Sequence, residues 1–116
     1  MDIVIDIAPR VDADLVVLEA EQPGVREGYD LLIKWLREDY KVGKPFNFSD
    51  ADPRNIRSTE VHAMGRAKAG ENAAMLVYEV WHDHAIHVQP LGVFRWSDWQ
   101  RWSHSEREEM IKPRLV

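Results

Sequence analysis

At 116 residues, 45% hydrophobic and 30% charged, the chain has the size and composition of one globular domain with a single core, not of a disordered or fibrous protein. No apolar run approaches twenty residues, so no transmembrane helix is expected, and the absence of cysteine excludes disulfides and thiolate zinc sites. The net charge of −5 is uneven: residues 1–53 carry twelve acidic against six basic side chains, residues 54–116 eight against nine. Direct nucleic-acid binding, which needs clustered Lys and Arg, is disfavoured, whereas an acidic half can steer association with a basic partner.

The amino-terminal "MDIVIDIAPR" places aspartates where an export signal needs positive charge. Together with the lack of cysteine this predicts a cytoplasmic protein, with no membrane association and no cofactor. "DIVIDIA" alternates, with Ile3, Ile5 and Ile7 on one face, and predicts a half-buried strand ending near Pro9. "LVVLEA", Leu15 to Ala20, is a short apolar run with a β-branched pair; it reads as a second strand hairpinned to the first, with a short helix as the alternative.

"PGVREGYDLLIKWLREDYKVGKP" carries the clearest helical period, with Val25, Tyr29, Leu32, Leu36 and Tyr40 on one stripe, Pro23 before it and Gly43 with Pro45 after it. Asp30 and Lys34 are spaced as an i,i+4 pair, and Gly28 costs this helix about 1 kcal/mol relative to Ala. Residues 42–56 show no sustained period and read as a long irregular loop. Three strands follow, around "TEVHAMGRAK", "AAMLVYEVW" and "AIHVQPLGVFRW", the second apolar on both faces and the third bent near Pro90 and Gly92. The chain closes with a turn and a longer helix to about Lys112, with Ser97-x-x-Gln100, Ser103-x-x-Glu106 and Ser105-x-x-Glu108 all spaced as capping boxes. The predicted order is β-β-α-β-β-β-α: one α+β domain over residues 1–116, an antiparallel sheet with two helices on one face.

Three features carry candidate chemistry. "EVWHDHAIHVQ" reads as a hairpin whose loop is His82, Asp83 and His84, which sets Trp81 against Ala85 and Glu79 against His87. His82 and His84 are the candidate metal pair, although an H-x-H alone is a weak signal and no metal is expected. For an enzyme, the candidates are His62 or His87 as general base, Glu79 as partner and Arg66 as clamp, on neighbouring outward strand faces. The element order is loosely similar to that of small ribonuclease toxins, but none of their residue motifs is present. Third, "FRWSDWQRW" repeats Trp96, Trp99 and Trp102 every three residues with Arg95 and Arg101 between them; Trp and Arg dominate interface hot spots.

The composite expectation is a small acidic protein-binding module, of the inhibitor, immunity or accessory kind found on phages and plasmids, acting on a nucleic-acid-processing partner. Its candidate contact residues are Phe46, Phe48, Asp50, Asp52, Arg95, Trp99, Arg101 and Trp102. The alternatives are a small hydrolase of ribonuclease or phosphodiesterase type, a metal-dependent enzyme on the histidine-bearing face, and a structural assembly subunit.

Overall fold

The computed structural model describes residues 2–64 and 72–115. Along the chain lie β1 (Ile3–Ile5), α1 (Pro9–Glu21), α2 (Val25–Leu36), β2 (Lys44–Phe46), β3 (Asn55–His62), β4 (Asn72–His82), β5 (Ile86–Arg95), α3 (Trp96–Arg101) and α4 (His104–Ile111). The strands form one sheet in the order β1-β5-β4-β3-β2. The meander β3-β4-β5 is antiparallel, as is β2 with β3, but β1 runs parallel to β5, so the sheet is mixed and the purely antiparallel expectation is corrected.

The segment Leu15 to Ala20 belongs to helix α1, not to a strand. Val11, Leu15 and Leu18 are buried at spacings of four and three, whereas Val16 and Val17 face outward, 71% and 54% exposed. The helical stripe begins at Val11, upstream of the apolar run, and burying it outweighs the few tenths of a kcal/mol that each β-branched residue costs a helix. Pro9 occupies the first turn, where its missing N–H is harmless. At the far end, the Glu19 carboxylate accepts from the Gly24 and Arg26 N–H groups, so α1 caps the start of α2.

Helix α2 buries Val25, Tyr29, Leu32 and Leu36 but stops there; Tyr40 sits in a separate 3₁₀ turn. Asp30 lies 3.5 Å from Arg26, its i−4 neighbour. The two glycines let α2 touch the end of β3: a Cβ on Gly28 would stand 1.7 Å from the His62 carbonyl oxygen, and one on Gly24 2.1 Å from that of Met64. Gly24, at φ +101°, also accepts the Met64 N–H at its carbonyl. The expected loop at 42–56 is shorter than predicted, because Lys44–Phe46 pairs with residues 56–58 as the edge strand β2.

Helices cover both sides of the sheet, not one. Leu76, Tyr78, Val80 and Val88 pack beneath α1 and α2, while Met75, Val77, Leu91 and Phe94 pack with Trp99 and Ile111 from α3 and α4. The doubly apolar pattern of β4 has this cause. A register shift at Val77/Tyr78 leaves one extra residue on β5, which turns Val93 to the first core and Phe94 to the second. Of the three capping boxes, the one formed by Ser103 and Glu106 starts α4; Ser97 lies inside α3 and Ser105 inside α4.

Where β1 ends, the Asp14 carboxylate takes the Val93 N–H at 3.0 Å and binds Arg114. A helix side chain thus satisfies β5 on the side away from β4, past the end of its pairing with β1. No helix among the described residues is long and apolar enough to cross a membrane.

Candidate functional site

Helices α3 and α4 cover only one end of their face. Beyond Ile56 and Leu91 the face continues through Glu79, Trp81, His87 and Val4, the last two opposed in the β1–β5 register and Trp81 opposed to His87. Here Trp81 is 36% and Val4 40% exposed. The indole and imidazole stack in parallel, with centroids 5.0 Å apart and an interplanar angle of 1°.

His87 is held at both nitrogens. Nδ1 lies 3.2 Å from Asp6, just past β1, and Nε2 lies 3.0 Å from Asp83 in the hairpin turn. Asp83 is itself fixed, since the same carboxylate oxygen accepts the Ala85 N–H. The bond to Asp6 is the largest influence on His87 and, with the weaker one to Asp83, outweighs desolvation and raises its pKa above the ordinary imidazole value. Asp83 is held below the usual carboxylate range, first by the Ala85 N–H and further by His87.

Glu79, opposite Gln89, is shifted the other way: burial raises its pKa, and Arg54, at 3.4 Å, only partly offsets that. Asp52 reaches the same Arg54 at 3.7 Å and accepts its backbone N–H. This end of the sheet therefore combines Asp2, Asp6, Asp52, Glu79 and Asp83 with the basic groups Arg54 and His87, each held by two of these carboxylates. Chemically it offers a fixed aromatic surface in a negative field. His87 itself is no ready base, because each of its nitrogens already faces a carboxylate.

The hairpin register differs from the expected one by two residues: the turn is Asp83, His84 and Ala85, and Glu79 opposes Gln89 in place of His87. A slip of two preserves the faces, so Glu79, Trp81 and His87 still share one side. His82 ends β4 edge-on to Tyr40 at 5.7 Å, and His84 lies in the exposed turn. Among the described residues no group of three His, Asp or Glu side chains is arranged to hold a metal ion. His62 opposes Asn72, nine positions along β4 from Trp81 and roughly 30 Å away at strand rise, so it does not join His87 and Glu79. Arg66 lies outside the described residues.

The candidate contact residues are dispersed. Phe46, Phe48 and Trp99 are buried in the second core, which leaves them no contact surface. Trp102 is half-buried, edge-on to Phe94. Arg95 bridges Glu21 and Asp98, and Arg101 reaches Asp98 with its side chain 71% exposed. Asp50 pairs with Lys112 at 2.7 Å. Near it, the Glu108 carboxylate accepts from the Ser49 N–H and hydroxyl and lies 3.1 Å from His104. The hydroxyl faces the carboxylate and not the imidazole, so the trio ties the 47–52 loop to α4 and is not a nucleophile relay.

Sequence reading missed Val4, Asp6 and Arg54 as members of one site. The "WHDHAIH" run held its other half, Trp81, Asp83 and His87. Compared with family models, with curated proteins and with solved structures, the chain shows no match.

Proposed function

We propose that this protein is a small acidic protein-binding module that docks a basic segment of its partner on the Trp81–His87 end of the sheet. The observation that carries the reading is the stack of Trp81 on an imidazole clamped between Asp6 and Asp83, on a stretch of that sheet face where Trp81 and Val4 stay exposed. An ordered, partly exposed indole is the side chain best suited to anchor an interface, and the surrounding carboxylates favour Lys and Arg. A nucleic-acid-processing enzyme, whose phosphate-binding groove is basic, has the complementary surface. An inhibitor or immunity-type role follows by analogy of charge and size alone.

The hydrolase reading draws less support, because His62 and His87 stand at opposite ends of β4 and the nitrogens of His87 are both engaged. An array of Lys/Arg-rich and Asp/Glu-rich peptides tests the docking reading. Basic peptides are retained selectively, and Trp81→Ala weakens them about tenfold or more. Equal retention of acidic peptides, or indifference to Trp81→Ala, overturns it.

A further inference from the structure

Strand β1 closes one side of the sheet, with β5 as its only strand neighbour among the described residues. The Asp2 carbonyl accepts the Ile86 N–H and the Asp6 N–H reaches the Val88 carbonyl, so the even-numbered residues spend their main-chain groups on β5. By the alternation of a parallel ladder, the N–H and C=O groups of Ile3 and Ile5 point away from the sheet. Sheets in which such an edge is to stay closed blunt it with proline, as Pro45 does on the opposite edge strand β2. No proline lies within β1, and Ile7, two residues beyond it, is 87% exposed, the highest value among the large apolar side chains of the described residues.

We infer that the partner's basic segment binds as a sixth strand along the free edge of β1. This rests on the docking reading above and names the mode of attachment. Main-chain hydrogen bonds to Ile3 and Ile5 supply affinity, and side chains on the Trp81 face supply selection. On that face Val4 of β1 is flanked by Asp2 and Asp6, one residue beyond either end of the strand, so the complementary strand reads basic, any, apolar, any, basic. Asp6 and Asp83 bracket the His87 imidazole, Arg54 is engaged by Asp52 and Glu79, and among the described residues no basic side chain pairs with Asp2. A second copy of this chain fits poorly, because an antiparallel β1–β1 pair centred on Val4 sets each Asp2 against the other copy's Asp6.

The probe is the end-blocked peptide Thr-Lys-Thr-Val-Thr-Lys-Thr, whose pattern is the same in both directions, with a Glu-for-Lys peptide as control. Both are titrated into the full-length protein and followed by amide and indole NMR. The proposal expects the basic peptide alone to shift the Ile3 and Ile5 amides and slow their hydrogen exchange, with the Trp81 indole shifting as well. Asp2→Lys, on an exposed side chain outside the strand, weakens binding several-fold while leaving the spectrum of the free protein otherwise intact. If the Trp81 indole shifts while Ile3 and Ile5 do not, strand addition is wrong and the docking reading stands. If the two peptides act alike or neither binds, both fall. A concentration-dependent dimer involving β1 would also overturn the assignment.

Discussion

The His87 imidazole and the Asp6 carboxylate meet at 3.2 Å across the parallel pairing of β1 with β5, although 81 residues separate them in the chain. Through this contact and that of Asp83, one titratable ring joins the amino-terminal strand to the β4–β5 turn. A raised pKa means that the folded chain holds this proton more tightly than the unfolded chain does. The stabilisation is therefore complete below the ordinary histidine value of 6.5 and is lost as pH rises through the higher folded value. Thermal midpoints of the native protein and His87→Gln should differ most near pH 6 and converge as pH rises above 6.5. A gap that widens with pH contradicts the clamp. Asp83, with its depressed pKa, stays ionised throughout that range and does not reverse the trend.

The Asp14–Arg114 pair is predicted to matter more than its position near the carboxyl terminus implies. Both side chains are only 17% exposed, and Asp14 also satisfies the Val93 N–H. Asp14→Ala leaves a cation and a strand N–H without their partner and should cost about 3 kcal/mol in urea unfolding. A loss below about 1 kcal/mol, the scale of an exposed ion pair, refutes this role.

For Gly28 the expected direction opposes helix propensity. Alanine is worth about 1 kcal/mol over glycine inside a helix. At this position its Cβ meets the His62 carbonyl oxygen at 1.7 Å, so α2 must withdraw from β3. Gly28→Ala should lower stability by about 1–3 kcal/mol, the usual range for overpacking. A stabilised variant shows that the close approach is not required.

These contacts also show where sequence pattern is informative. The meander was legible because alternation in β3 to β5 reports which side chains face a core; the apolar pattern of β4 on both sides marked it as central, but the helices were still expected on one face where the structure has them on both. The strand reading of Leu15 to Ala20 failed because the deciding stripe starts at Val11 and skips the conspicuous Val16–Val17 pair. The hairpin was recognised with its faces correct and its register two residues off, since strand periodicity constrains parity and not position. Trp81 and His87 were visible as neighbours within seven residues. Their link to Asp6 was not, because a parallel pairing made through two helices and three strands leaves no local trace.

The salt dependence of partner affinity tests the central claim, docking through charge complementarity around Trp81, most directly. Taking the tightest basic ligand recovered on the peptide array, the dissociation constant should rise about tenfold or more between 50 and 300 mM salt, with Asp83→Asn flattening the slope. An affinity that stays constant over this range, or a slope that Asp83→Asn leaves unchanged, contradicts the account.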